Sequence, residues 1–395
     1  MNFSRDDGQS QKPETALVTS GRDTEAQKGF VNPPVVHGST VLYPTAADLH
    51  AHRGEFQYGR HGTPTTRALQ DALMALEGPR CKGVGLAPSG LAAISTTLLA
   101  VLKAGDHLLV CDNVYRPTRN FCNGLLSRYG VETSYYDPSI GGGIAALLRP
   151  DTKAVWVEAP GSQSFEMPDV PAIAAAAHAH GALVIDDNTW ATPLFHRSLD
   201  QGVDISVQAA TKYVGGHSDI MFGTISATTK TWPLIAETIR LLGVCAGPDD
   251  VYLALRGLRT LAVRLNQHHR SGLEIARWLA TRPEVSRVLH PGLESDPGHA
   301  IWKRDFTGAS GLFSLVLKPA PQKAVDALLD TVKLFGMGYS WGGFESLIIQ
   351  FDCSDYRSAT QWAPEGPALR LHIGLEHVDD LKADLERGFA AFNAA

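Results

Sequence analysis

The stretch VPAIAAAAHAHGALVIDDN, residues 170–188, contains one complete helix–strand unit. Its first eleven residues are alanine-rich and stop at Gly181, a residue that ends helices because it adopts the left-handed conformation without penalty. Ala182–Asp187 then runs apolar and finishes on two acids. A short apolar run bounded by turn residues reads as a buried strand. Polar residues at the carboxyl end of such a strand lie where open α/β sheets bind their ligands.

Working outward, the same alternation repeats. His107–Cys111, Ala154–Glu158 and Asp204–Ala209 read as strands, and Thr66–Leu76, Gly90–Leu102 and Pro117–Tyr129 as helices. Short strands alternating with longer helices predict βαβ units and a mostly parallel sheet. Beyond a long helical stretch, Pro248–Thr281, the pattern changes. Ser310–Leu317, Ser346–Phe351 and Ala368–Ile373 read as strands, with helices over Pro321–Asp330 and Val378–Ala391. The expected organisation is an α/β protein in three parts. Residues 1–60 form an N-terminal arm or inter-subunit segment, 61–255 a large domain and 256–395 a smaller C-terminal α/β domain. Residues 1–30 are polar and weakly patterned, as in a mobile tail. Residues 30–66 lack periodicity and must take their order from packing on something else.

Bulk composition narrows the class. The chain has 395 residues, 44% hydrophobic and 19% charged, with a net charge of −6. No basic stripe is present to track a phosphate backbone, so nucleic acid is not an expected partner. No apolar run is long enough to cross a bilayer. Met1–Ser10 carries charges and no apolar leader. The five cysteines are odd in number and without CxxC spacing, which fits thiols in a reducing, cytoplasmic compartment. The histidines show no metal-ligand spacing, since His178 and His180 sit two apart on a helix and face different ways.

Five positions carry possible chemistry. Lys212 follows a predicted buried strand within QAATKY, residues 208–213, ahead of Gly215-Gly216-His217-Ser218-Asp219. A lysine desolvated there has a lowered pKa that suits Schiff-base formation, with Thr211 beside it to hold a phosphate. Read alone, the pattern equally fits an ordinary lysine in a glycine-rich turn. Asp187 ends a strand of the same sheet, where a carboxylate can pair with a pyridine nitrogen. Asp186 fits a turn cap. Pro88-Ser89-Gly90-Leu91 opens a helix whose free N–H groups suit a phosphate, though a simple Ser cap reads the same way. Gly83-x-Gly85 is half a dinucleotide fingerprint with its third glycine misplaced, so nicotinamide binding is discounted. Tyr115 follows a strand and can stack on a planar ring or lie in a surface loop. Arg370 sits between apolar residues on a strand; facing inward it can clamp a carboxylate, facing outward it is solvated.

Together these residues resemble the Cys/Met-metabolism family of pyridoxal-phosphate enzymes, from about Phe30 to the C-terminus. The motifs are Tyr58-Gly59-Arg60, Pro88-Ser89-Gly90, Asp187-Asn188-Thr189-Trp190, Ala210-Thr211-Lys212-Tyr213 with Gly216-His217-Ser218-Asp219, and Arg370 before Leu371-His372-Ile373-Gly374-Leu375-Glu376. Residues 302–308 and 339–347 resemble most the bacterial cystathionine β-lyases. The resemblance implies PLP fold type I, like aspartate aminotransferase, and pyridoxal 5′-phosphate as cofactor. It implies Lys212 as the cofactor-bearing lysine and Asp187 at the pyridine nitrogen. Tyr115 would stack on the ring and help in proton transfer. Ser89, Gly90, Leu91 and Thr211 would hold the phosphate, reached also by Tyr58 and Arg60 of a neighbouring copy. Arg370, Ser340, Trp341 and Tyr339 would bind an amino-acid substrate. A homotetramer built of two dimers, with sites shared across the dimer interface, is implied too.

The implied reaction is β-elimination of L-cystathionine to homocysteine, pyruvate and ammonia, a step of transsulfuration and methionine biosynthesis. Family members acting at the γ-carbon commonly place Glu where Tyr339 stands, and many carry an asparagine that is missing from residues 158–162. Ala209 departs from a serine found in some relatives. Alternatives are a broader cysteine-S-conjugate β-lyase, cystathionine γ-synthase or γ-lyase, methionine γ-lyase, or a non-catalytic interaction protein on the same fold.

Overall fold

A computed structural model describes residues 11–395. The first ten residues, where the sequence reading expected no leader and the beginning of the arm, lie outside the described residues.

The large sheet has seven strands in the order β1-β7-β6-β5-β4-β2-β3. They are β1 (Gly83–Ala87), β2 (His107–Cys111), β3 (Glu132–Tyr136), β4 (Thr152–Glu158), β5 (Leu183–Asp187), β6 (Ile205–Gln208) and β7 (Gly223–Ala227). Strands β3, β2, β4, β5 and β6 pair in parallel, whereas β7 runs antiparallel to both β6 and β1. Helices cover the sheet faces, among them Pro64–Glu77, Gly90–Val101 and Val170–His180. A mostly parallel sheet joined to a smaller antiparallel sheet is the architecture expected of PLP fold type I.

The second sheet has the order β10-β11-β9-β8, antiparallel throughout. Its strands are β8 (Val285–Leu289), β9 (Leu312–Leu317), β10 (Leu347–Phe351) and β11 (Ala368–His372). Each sheet has its own hydrophobic core. The helix Leu261–Leu279 serves both, with Leu261 and Leu265 in the first and Ile275, Ala276 and Leu279 in the second.

Several elements differ from the sequence reading. Strands β1, β3, β7 and β8 and the helix Trp232–Leu242 were not foreseen. The Gly83-x-Gly85 pair is part of β1, not half a fingerprint. A Cβ on Gly83 would meet the Trp232 ring at 2.3 Å and one on Gly85 would meet Ile239 at 2.3 Å, so these glycines let a helix pack close to the strand. The expected helix Pro117–Tyr129 widens into a π-turn over Cys122–Leu126. The long helical stretch breaks at Thr260 into Pro248–Arg259 and Leu261–Leu279. Part of the expected mobile tail is a docked helix, Pro13–Thr19. Its Leu17 is buried, and Arg259 Nη1 donates to the Leu17 and Ser20 carbonyls at 2.7 Å each. One apolar contact and two charge-assisted bonds order a segment that lacks sequence periodicity.

Candidate active site

The carboxyl ends of β2, β4, β5 and β6 bring the site together. Side chains alternate along a strand, so Asp187 and Asp186 must point to opposite faces of β5. Asp187 is buried, and its Oδ1 accepts from the Thr189 N–H and hydroxyl. Thr189 Oγ1 also accepts from the Ala209 N–H at 2.8 Å, tying Asp187 to the strand that leads into Lys212. Among the described residues none donates to Asp187 Oδ2. Burial raises the Asp187 pKa, offset by the Thr189 bonds and by the nearby Lys212. Asp186 lies on the other face, opposite Ser206, and neither of its oxygens has a hydrogen-bond partner. It therefore does not cap the following turn, contrary to the sequence reading. Burial, with Asp187 next, pushes its pKa well up.

Lys212 lies in the turn after β6, held by Lys212 N–H donating to Ala209 O at 2.9 Å. Its Nζ donates to Ser340 Oγ at 2.6 Å and lies 5.5 Å from the centre of the Trp341 ring. Burial brings its pKa down to about 8, with Arg370 acting in the same direction and Asp187 opposing. A lysine in this state suits an amine that attacks carbonyl carbons near neutral pH.

Arg370 is buried on β11, which excludes the solvent-face reading. Its Nη2 donates to Ser340 O at 3.1 Å. Burial, chiefly, pulls its pKa down to about 10, so it stays charged. Ser340 thus touches both Lys212 and Arg370, and does so from a left-handed conformation, φ 74°. A non-glycine residue there costs about 1–3 kcal/mol and persists only where its surroundings enforce it. His372 enforces it in part, with Nε2 3.2 Å from both Gly342 N and Gly343 O. Gly342 itself has φ 88°, and a Cβ there would sit 3.0 Å from the Lys212 backbone. Only glycine lets the loop approach the lysine so closely. Tyr339 is 90% exposed at the site mouth.

Ser89 caps the helix Gly90–Val101, with Oγ accepting from the Ala92 N–H at 3.0 Å. A Cβ on Gly90 would lie 2.6 Å from the Ala209 Cβ, so the helix N-terminus presses on the chain three residues before Lys212. The N–H groups of Gly90 and Leu91 belong to the unpaired first turn. The Thr211 hydroxyl is engaged with Phe222, accepting from its N–H at 2.8 Å and donating to its carbonyl at 3.2 Å. Tyr115, 43% exposed, precedes the helix Arg116–Phe121. Tyr58 is exposed too, and Arg60 donates to Arg240 O at 2.9 Å. None of the contacts of Tyr58 and Arg60 is with Lys212 or Asp187.

Sequence reading missed Glu158. It ends β4 beside Asp187 and accepts from the Tyr115 N–H at 2.8 Å, fixing the turn that carries Tyr115. Burial, then Asp187, drives its pKa well above the carboxylate range. A polar residue closing an apolar strand was the available signal, as it was for Asp187.

These residues fit pyridoxal phosphate. An amine of lowered pKa, a carboxylate oxygen to which no described residue donates and an unpaired helix N-terminus converge on one sheet edge. They match the aldehyde, the pyridine nitrogen and the phosphate. The chain matches the Cys/Met metabolism PLP-dependent enzyme family over residues 14–390. The chain belongs to that family.

Its relatives in the family include a putative cystathionine β-lyase of Rhizobium johnstonii, 54% identical over 384 residues and covering 96% of each chain. Cystathionine β-lyase MetC of Escherichia coli is 46% identical, covering 96% of this chain and 98% of its own. Among solved structures, metB from Corynebacterium glutamicum superposes with a TM-score of 0.91 at 30% identity, covering 98% of this chain and 99% of that one. As a member, the chain is a pyridoxal-phosphate-dependent enzyme. Among the described residues no helix is long and apolar enough to cross a membrane, and no group of three or more His, Cys, Asp or Glu is placed to hold a metal.

Proposed function

We propose that this enzyme cleaves the Cβ–S bond of L-cystathionine, giving homocysteine, pyruvate and ammonia with one water consumed. The reading is carried by the likeness, at 46–54% identity across almost the whole chain, to proteins named cystathionine β-lyase. Tyr339 supports it, since no carboxylate stands ahead of Ser340 to act as a further base. β-Elimination ionises one carbon acid, whereas γ-elimination needs a second proton removal at Cβ.

In this reading Lys212 carries the cofactor and Asp187 Oδ2 accepts from its pyridinium. The N-terminus of Gly90–Val101, with Ser89, Gly90, Leu91 and Thr211, holds the phosphate. Tyr115 covers the ring. When bound, pyridoxal phosphate supplies an electron sink for the charge left at Cα. Arg370 pairs with the substrate α-carboxylate while Ser340 and Trp341 shape the pocket around it and Tyr339 lines the mouth. Lys212 Nζ, steered by Ser340 Oγ, takes the Cα proton. The resulting ammonium, or the Tyr115 hydroxyl, returns a proton to the departing sulfur.

The deciding experiment is product analysis of the holoenzyme with L-cystathionine, with pyruvate and 2-oxobutyrate assayed separately. Pyruvate in step with homocysteine is the expected result; 2-oxobutyrate in its place would reject β-elimination. Arg370→Ala should raise the KM for cystathionine on the order of a hundredfold, because a buried bidentate partner for the carboxylate is lost. Steady-state kinetics check this, and an unchanged KM rules out the clamp.

The assembly completes the proposal. Phe30, Val31, Leu42 and Leu49 are large apolar side chains left exposed in the segment around Tyr58 and Arg60. Such a surface suits burial against a second copy, which would bring Tyr58 and Arg60 to that copy's phosphate. A homotetramer of two such dimers follows from the resemblance. All five cysteines are free thiols, in keeping with a cytoplasmic enzyme of methionine biosynthesis.

A further inference from the structure

Asp112 is fully buried at the end of β2, three residues before Tyr115. Its carboxylate collects donors from a distant loop. Ser358 N–H donates at 3.1 Å, Ala359 N–H at 3.0 Å, and Thr360 donates through both N–H and hydroxyl at 2.7 Å. Arg119, itself buried, donates Nη2 to Asp112 Oδ1 at 2.6 Å and to the Asp112 carbonyl at 3.0 Å. The Arg119 guanidinium lies 3.6 Å from the centre of the Tyr135 ring, which fixes it in place.

The donor loop, residues 352–367, joins β10 to β11 in the small sheet, and β11 carries Arg370. Two more contacts flank the same crossing. Arg116 pairs with Asp355 at 2.7 Å and lies over the Tyr356 ring at 4.9 Å. Arg357 pairs with Glu166 at 2.7 Å. Three successive backbone N–H groups converging on one carboxylate form a nest for an anion. Burial works to raise the Asp112 pKa, but the donors from Thr360, Ser358 and Arg119 hold it below the ordinary carboxylate value.

We propose that Asp112 is a positioning residue that locks the 352–362 loop onto the turn carrying Tyr115, and so fixes the spacing between Tyr115 and Arg370 across the cleft. This rests on the roles proposed above for those two residues. Tyr115 stands on the large sheet and Arg370 on the small one, so a bound amino acid spans two bodies whose separation must be set by contacts between them. A misplacement of about 1 Å between such groups costs up to about a hundredfold.

The test compares wild-type holoenzyme with Asp112→Asn. The amide of Asn would point N–H groups at N–H groups and open the loop. Two affinities are read: the KM for L-cystathionine, and the dissociation constant for glycine from the change in cofactor absorbance. Both should rise about tenfold, with kcat within about threefold and the resting cofactor band unmoved. A lower melting temperature with both affinities at wild-type values would make Asp112 merely structural and overturn the proposal. Thr360→Val removes one hydroxyl from a half-buried residue and leaves folding safe. It should weaken both affinities about threefold, and no change would count against the latch. If the wild type binds glycine but releases no pyruvate from cystathionine, the proposed reaction fails, while the glycine comparison still decides the role of Asp112.

Discussion

Lys212→Ala is expected to abolish turnover, by a factor of at least about 10⁴, and with it the visible band of lysine-bound cofactor. The expected loss is large because one atom has two duties. In the proposed mechanism Nζ would attach the cofactor and afterwards act as the base at the Cα proton. Its pKa of about 8 comes first from partial burial in the cleft. The hydroxyl of Ser340, 2.6 Å away, holds Nζ but has no basicity to replace it. Absorbance spectra and pyruvate release on the purified variant test this directly. A variant that keeps more than a few per cent of wild-type turnover would remove Lys212 from the chemistry.

Asp187→Ala has the second-largest effect, a fall in kcat on the order of 10³-fold together with weaker cofactor retention. The carboxylate is buried and, among the described residues, receives donors on Oδ1 only. In the proposed mechanism its other oxygen would keep a pyridine nitrogen protonated, and without that proton the ring would withdraw little charge from Cα. The adjacent Asp186 is the built-in control. It faces the opposite side of the sheet, so Asp186→Asn should leave turnover within about threefold. Kinetics of both variants and the cofactor content after gel filtration provide the readout. Equal damage from the two substitutions would mean that the strand end is simply fragile and that Asp187 has no role of its own.

The two neighbouring acids also show where sequence reading stops. Both were visible as polar residues closing an apolar strand, and strand alternation dictates that they part company. Which one faces the cleft depends on how helices pack on the two faces of the sheet, and that is set by tertiary structure. Lys212 and Arg370 pose the same problem. Each residue type suited its task, yet an ordinary surface lysine or a solvated strand arginine has the same local pattern. Their burial, and the loop of Ser340 and Gly342 that presses against the lysine, distinguish the readings.

The parallel part of the large sheet was legible because its strands are continuous apolar runs separated by helices with clear stops. Strand β3 was not, since ETSYY at the sheet edge is half exposed and weakly apolar. Nor was β1, whose glycines look like turn residues until Trp232 and Ile239 are seen to need the space. The docked helix Pro13–Thr19 has a single deeply buried leucine, too little periodicity to register as more than a tail.

By itself, then, the sequence determined the alternating architecture, the family and the residue types at the strand ends, because these depend on local periodicity and short motifs. Tertiary structure alone decided the antiparallel β7, the left-handed Ser340 bridging Lys212 to Arg370, the buried Glu158 that accepts from the Tyr115 N–H and the Asp112 contact between the two sheets. Each of these joins residues that are dozens to hundreds of positions apart. Their energies come from desolvation and hydrogen bonds that exist only once the chain has folded, and no local pattern records them.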